Sequence, residues 1–254
     1  MRVANADSGK FGVDRDWERR VLEQVARARL APVVEVCLPA DGVLVTRWVE
    51  GTCWSADEAR QADTIAPVAA LIRKIHSVRA PVLARAMTPA RWIDLYRKAL
   101  AQHESAGAAA QSLTALDEQV PRRQKAYERC GPKAATLCHS DLHRHNLIQS
   151  GDAFVVLDWE YAHVGDPFWD LAGWLSMNDL SGDVAERILT AYLARVPLDD
   201  ERRRLRILHW FYDYVGLLWI RLCGVIRGSA APVELGALAG ILQARLEASS
   251  SAGL

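Results

Sequence analysis

Neither sign of charge is in excess in this 254-residue chain: 31 basic residues balance 31 acidic ones. A protein that holds duplex nucleic acid by its phosphates needs a basic patch or stripe, so that class of partner is excluded and small ligands are expected instead. Long apolar runs are lacking as well. The longest, near Trp210 to Ile226, is broken by Asp213 and Arg221 and is too short and too charged to span a bilayer. The opening residues, MRVANADSGK, carry no apolar stretch of the kind a secretory signal needs, which places the chain in the cytoplasm by expectation. The five cysteines (Cys37, Cys53, Cys130, Cys138, Cys223) are odd in number, scattered and without a CxxC pair, so they read as buried reduced thiols and not as a disulfide framework. No internal repeat is present. With 50% apolar and 24% charged residues the chain is not a disordered one, and at roughly 150 residues per domain it allows one or two domains.

What is there reads as a small mixed segment followed by a helical body. In DRDWERRVLEQVARARL, residues 14–30, Trp17, Val21, Val25 and Leu30 fall near helical spacing and Asp14 can cap the helix. The β-rich runs 32–38 and 42–51 flank the turn-forming Pro39 to Gly42 and predict an antiparallel pair, with a hinge near Gly51. Helical patterns follow over 55–77, 88–105 and 109–130, the last interrupted by Pro121. A β island is expected over 135–158, then helices over 167–178, 182–195, 200–226 and 232–247, and a frayed SSSAGL tail.

The chemistry is concentrated in LCHSDLHRHNLIQSGDAFVVLDWEYAHVGDPFWDLAGW, residues 137–174. His139-x-Asp141 is followed five residues later by Asn146, and Asp158 ends the apolar strand Phe154 to Leu157. Phosphoryl transfer from ATP asks little of a protein: a carboxylate to accept the acceptor hydroxyl's proton, and oxygen ligands for Mg²⁺ on the phosphates. An H-x-D-x-x-x-x-N loop followed by a second Asp supplies both, in the spacing of protein kinases. The alternative is that the same three residues merely shape turns around a hairpin. Cys138, His139, His143 and His145 raise the possibility of zinc, although only His139 and His143 have a usable spacing. Asp166 before Pro167 reads first as a helix cap, and Asp170 as a first-turn residue favoured by the helix dipole.

The Asp141 to Asn146 loop, the Leu157-Asp158-Trp159-Glu160-Tyr161 strand end and the Gly165-Asp166-Pro167-x-x-Asp170-Leu171-Ala172 block resemble the aminoglycoside phosphotransferase and choline kinase superfamily. The D-W-E-Y form is most similar to bacterial choline/ethanolamine and thiamine kinases. The resemblance implies an α+β, protein-kinase-like two-lobe fold. Residues 1–51 would form a partial nucleotide-binding lobe, and residues 52–254 a mainly helical lobe with the catalytic loop and acceptor site. It implies ATP and Mg²⁺ as cofactors and a small, cationic alcohol as substrate. Asp141 would be the catalytic base, His139 the prop of its loop, and Asn146 and Asp158 the metal ligands, with Asp166 and Asp170 in support.

On the nucleotide side the same resemblance assigns Arg2 and Glu18 to the phosphates and the Val45 to Glu50 stretch, with Thr46 and Trp48, to the adenine. Arg2 as a frayed terminus and Glu18 as a surface charge are the plain alternatives. The strand-loop-strand that covers the phosphates in the family has no counterpart before Arg2. The chain is therefore expected to be an N-terminally truncated relative, with an incomplete N-terminal lobe and a weakened hold on ATP. On the acceptor side Tyr161, Glu160, Trp210 and Trp219 are candidates for a cation-binding box, against core packing for the two tryptophans. A catalytically impaired binding or regulatory protein, or an aminoglycoside phosphotransferase, are the rival readings.

Overall fold

The computed structural model describes residues 1–4, 6–82, 86–103, 113–130 and 135–251. Its packing divides into two compact units, Met1–Ala86 with Pro132–Arg202, and Met87–Gly131 with Arg203–Leu254. The first carries every strand found among the described residues.

Helix α1, Arg15–Arg27, begins where sequence places it: the Asp14 side chain accepts the Trp17 N–H at 3.0 Å and so caps it. Its apolar stripe, Trp17, Val21, Leu22 and Val25, is buried, and Leu30 beyond it is fully covered. Strands β1 (Arg2–Val3), β2 (Val34–Leu38) and β3 (Val43–Thr46) form an antiparallel sheet in the order β1-β3-β2, with a bulge between Val34 and Val36. The predicted pair of strands is thus present and gains a third. Val3, Val36 and Leu38 remain exposed on it.

Two further small sheets hold the chemical loops. Strand β4 (Thr52–Cys53) pairs with β6 (Leu147–Ser150), which pairs with β7 (Ala153–Val156). Strand β5 (Thr136–Cys138) pairs with β8 (His163–Gly165), a strand that sequence periodicity did not suggest because it is only three residues long. The Val156 N–H donates to the Leu30 carbonyl at 2.7 Å, fastening the β6-β7 hairpin to the end of α1.

The helix expected over 55–77 divides. A capping box at Ser55 and Glu58 starts α2 (Ala56–Arg60), a 3-10 turn follows, and α3 runs Ile65–His76. Helix α7 (Phe168–Met177) is buried nearly all round, and α8 (Asp183–Leu193) packs on α3.

The second unit is helical: α4 (Pro89–Ala101), α5 (Thr114–Asp117), α6 (Val120–Arg129), most of α9 (Asp199–Arg227) and α10 (Glu234–Ser251). The interruption expected at Pro121 is present: the helix breaks at residues 118–119 and Pro121 lies in the first turn of α6, where its missing N–H costs no hydrogen bond. Residues 109–112 of the helix expected over 109–130 lie outside the described residues, as does 252–254 of the tail; Ser249–Ser251, read as frayed, end α10 in helical form. Trp210 stacks on Tyr214 at 5.2 Å, with the Arg123 guanidinium 4.4 Å from its ring centre. Burial pulls the Arg123 pKa down to about 10. Asp117 accepts from both Arg97 and the Tyr214 hydroxyl.

All five cysteines are free thiols; Cys130, Cys138 and Cys223 are buried as expected, whereas Cys53 is exposed and Cys37 half-buried. No helix among the described residues is long and apolar enough to cross a membrane.

Gly51 has φ +152, and a Cβ there would lie 2.6 Å from Ile148 Cγ2 and run into the Gln149 carbonyl oxygen. The residue expected as a hinge is therefore a close-approach glycine that lets β4 lie on β6. Gly51→Ala is expected to destabilise the chain by about 2 kcal/mol, read as a lower urea midpoint at unchanged slope; an unchanged midpoint would show that the strand pair can move apart freely.

Candidate active site

The loop between β5 and β6 carries Asp141 and Asn146, and its shape is set from beneath by one buried side chain. Asp170, in the first turn of α7 and with no exposed surface, accepts the backbone N–H groups of His139 at 2.8 Å and Ser140 at 2.7 Å. His76 Nε2 lies 3.1 Å from the same carboxylate, and His76 Nδ1 is 2.9 Å from the Tyr192 hydroxyl. Burial alone would push the Asp170 carboxyl up, but His76 and these backbone donors pull it below the usual carboxylate range. Two consecutive N–H groups aimed at one carboxylate demand an unusual backbone, and Ser140 has φ +75. Its hydroxyl is tied to His163 Nδ1 at 2.6 Å.

His139 works one layer above. Its Nε2 lies 2.8 Å from the Leu157 carbonyl oxygen and its Nδ1 accepts the Asp141 N–H at 3.2 Å, an arrangement that suits a neutral ring. Burial lowers its pKa, in agreement. His139 thereby fixes Asp141 relative to the strand end that bears Asp158. Asn146 Nδ2 donates to the Asp141 carbonyl at 2.9 Å and to its carboxylate at 3.1 Å, and lies 3.1 Å from His143 Nε2. The amide nitrogen being committed, its carbonyl oxygen is the atom Asn146 can offer to a cation. Asp158 stands at φ 58, ψ 66, a left-handed conformation that Asp tolerates better than most residues.

On the opposite side, Arg2 Nη2 meets both oxygens of Glu18, at 2.7 and 2.6 Å, and its Nη1 reaches Asp158 Oδ1 at 3.1 Å. Arg2 is thus an anchored residue of β1, not a frayed one, and Glu18, only 3% exposed, is not a surface charge. Glu160 lies among the guanidiniums, 2.8 Å from Arg15 Nη1 and 3.5 Å from Arg2 Nη1. Its charge is engaged there and does not stand free for an acceptor.

Asp141, Glu18, Asp158 and Glu160 thus set four carboxylates against two guanidiniums, an excess of two negative charges. Partial burial raises the Asp158 pKa, Arg2 opposes this, and the neighbouring Asp141 and Glu18 add to it. Burial and the Asp158 charge likewise raise Glu160. Such mutual repulsion marks a place where a divalent cation is favoured, and the oxygen donors of Asp158 and Asn146 suit Mg²⁺. The zinc alternative is not supported: the His, Cys and acidic ligand atoms found within 4.8 Å of one another among the described residues belong to His76, Cys138 and Asp170. There Cys138, raised well above the usual thiol range by burial, stays protonated and donates to the Asp166 carbonyl.

Asp166 accepts the Phe168 N–H at 2.9 Å and so caps the helix from two residues before its start, with Pro167 at the N-cap position and not inside the helix as expected. Thr46 ends β3 opposite Val34, and Trp48 beyond it is 81% exposed. Tyr161 is half-buried at the end of the 3-10 turn Trp159–Tyr161. Trp210, by contrast, is 3% exposed in the core of the second unit with its ring against Tyr214 and Arg123, which is the packing alternative; Trp219 is half-buried on the same helix. Two participants were missed. His76 lies too far along the chain from Asp170 to be paired by spacing. Arg15, three residues before Glu18 on the same helical face, did carry a local signal.

Residues 8–208 match the model of the phosphotransferase enzyme family, and the chain belongs to that family. A LicA homologue of Mycoplasma capricolum is 29% identical over 87 residues, 34% of this chain and 34% of its own length. The match thus spans about a third of these curated relatives. Among solved structures, a choline/ethanolamine kinase family protein from Mesorhizobium loti superposes with a TM-score of 0.77 at 24% identity, covering 93% of this chain and 78% of that one. The choline kinase LicA from Streptococcus pneumoniae gives 0.79 at 19%, covering 97% and 85%. The fold is protein-kinase-like, with small antiparallel sheets and a predominantly helical remainder.

Asp170→Asn replaces a charge that three donors need and is expected to cost roughly 3 kcal/mol. Because the folded carboxyl lies below its unfolded value, its stabilisation is complete above about pH 4 and fades as pH falls through the folded pKa. Thermal melts of wild type and variant should therefore converge on acidification; a gap independent of pH would show that the ionised form is not what holds the loop.

Proposed function

We propose that the chain is an ATP-dependent phosphotransferase for the hydroxyl of a small cationic alcohol of the choline, ethanolamine or thiamine type. The observation that carries this is the convergence of Asp141, Asn146 and Asp158, locked to one another through His139, beside an Arg2–Glu18 pair and an unneutralised double negative charge. By function, residues 1–51 make up the nucleotide side and residues 52–254 the side with catalytic loop and acceptor.

In this reading Asp141, 30% exposed at its side chain, receives the acceptor hydroxyl and takes its proton as the phosphoryl group moves. Asn146 and Asp158 would hold Mg²⁺, which when bound neutralises charge on the nucleotide phosphates. Arg2, braced by Glu18, would orient the phosphates, and the backbone of Thr46 to Trp48 would meet the adenine. His139 keeps Asp141 in line with Asp158 and stays neutral, so it does not compete for the proton. Tyr161, which closes the turn that begins at Asp158, is the aromatic proposed to face the acceptor's cationic group, for which a ring face offers electrostatic attraction without a counter-charge. The likeness to LicA proteins and choline/ethanolamine kinases supports this acceptor class.

Incubation of the chain with Mg·ATP and, separately, choline, ethanolamine, thiamine and an aminoglycoside is expected to give phosphoryl transfer to one of the first three. Asp141→Asn should lower turnover by roughly 10³-fold and leave the thermal midpoint within about 2 °C, because a half-exposed loop carboxylate contributes little to stability. Transfer only to the aminoglycoside would overturn the acceptor class. Thermal stabilisation by choline or thiamine with none by Mg·ATP would identify a binding protein instead, and an active Asp141→Asn variant would remove Asp141 from its role.

A further inference from the structure

Arg15 has no part in the proposed phosphoryl transfer, yet it contacts two of the same acids as Arg2, Glu18 and Glu160. A single atom, Nη1, lies 2.7 Å from Glu18 Oε2 and 2.8 Å from Glu160 Oε2, while Nη2 donates to Ser8 Oγ at 3.2 Å. Its side chain is only 15% exposed, and burial alone would lower its pKa, yet the two carboxylates hold it above the ordinary arginine value. Glu18 is the brace of Arg2, and Glu160 sits two residues after Asp158 on the 3-10 turn that follows it. One guanidinium therefore joins the helix that positions the phosphate-side arginine to the turn that positions the metal-side carboxylate, across 145 residues of sequence.

We propose that Arg15 is a positioning residue for the nucleotide: it sets the distance between the Arg2–Glu18 pair and Asp158 by bridging Glu18 to Glu160. The inference rests on the phosphotransferase reading and extends it. Without Arg15, Glu160 keeps only the long 3.5 Å contact to Arg2, and three carboxylates compete for one guanidinium. Arg2 is then drawn away from a fixed pairing with Glu18, and the turn that follows Asp158 loses its charged tie to α1, keeping the Trp17 Nε1 bond to the Ala162 carbonyl at 2.6 Å. Both consequences fall on the phosphates and their cation. Charged groups that must meet a ligand in one geometry lose affinity steeply when their support is removed.

The experiment compares Arg15→Gln, Arg15→Lys, Glu160→Gln, the Arg15→Gln/Glu160→Gln double variant and a control, Arg19→Gln. Arg19 lies on the same helix but pairs only with Glu23 at the surface. Mg·ATP affinity is measured by calorimetry, thermal midpoints are taken without ligand, and KM values are measured for both substrates. Arg15→Gln should weaken Mg·ATP at least tenfold and raise KM for ATP in parallel, with KM for the acceptor within twofold of wild type. Arg15→Lys should recover part of the loss, since one nitrogen makes both carboxylate contacts. The double variant should be less impaired than the two single effects combined, in affinity and in midpoint, because the stranded carboxylate is gone. Arg19→Gln should match wild type. If Arg15→Gln does not fold, Arg15→Lys and Glu160→Gln carry the same comparison. Unchanged Mg·ATP affinity in those variants, or strictly additive effects, would overturn the role of Arg15 alone. A wild-type chain that binds no Mg·ATP would overturn the phosphotransferase reading, and this proposal with it.

Discussion

Asp170 is out of contact with water, and its two oxygens accept two successive backbone N–H groups and face one imidazole. Burying a carboxylate is costly unless it is fully hydrogen-bonded, and here every donor comes from a segment the site needs in place. His139 and Ser140 belong to the loop that presents Asp141, and His76 is the last residue of α3, so a single anion joins that loop, α7 and α3. Cooperativity runs both ways. The loop satisfies the charge, and the charge holds Ser140 in a left-handed conformation it would otherwise leave.

Above that anchor the site is organised by charge imbalance. Arg2 and Arg15 do not neutralise the carboxylates around them, and burial first, with the remaining repulsion added to it, raises the pKa of Asp158 and Glu160. A structure selected only for stability would remove one of these acids, since paired buried ions seldom add net stability. In the proposed function this excess of acid is what a cation, entering with a polyphosphate, would offset.

The second unit makes a contrast. Its aromatic residues are numerous, but Trp210 is covered by Tyr214 and a guanidinium, and the Tyr214 hydroxyl is shared with Asp117 and Arg97. Rings so engaged serve packing, and an aromatic count alone does not distinguish a cation box from a core. Exposure of the ring face makes that distinction.

The linear sequence was sufficient for whatever depends on neighbours in the chain. The α1 cap at Asp14, the β2-β3 pair, and the Asp141, Asn146 and Asp158 spacing were all legible, because hydrogen-bond registers and loop lengths translate directly into residue intervals. Three-residue β8 escaped because so short a strand exists only when β5 lies beside it. Gly51 carried a hinge signal in sequence, whereas its contact with Gln149 makes it a packing residue. The pairing of Glu160 with Arg2 and Arg15, and of His76 with Asp170, required the tertiary structure. The partners lie 94 to 158 positions apart, and Coulomb attraction between groups so distant in sequence exists only after the fold has removed the intervening water and brought them within 4 Å. Sequence thus determined which chemical groups this protein carries and the local spacing of its Asp141 to Asn146 loop. Only the tertiary structure decided which charges meet, because it alone brings Arg2 and Arg15 within 4 Å of Glu18, Asp158 and Glu160.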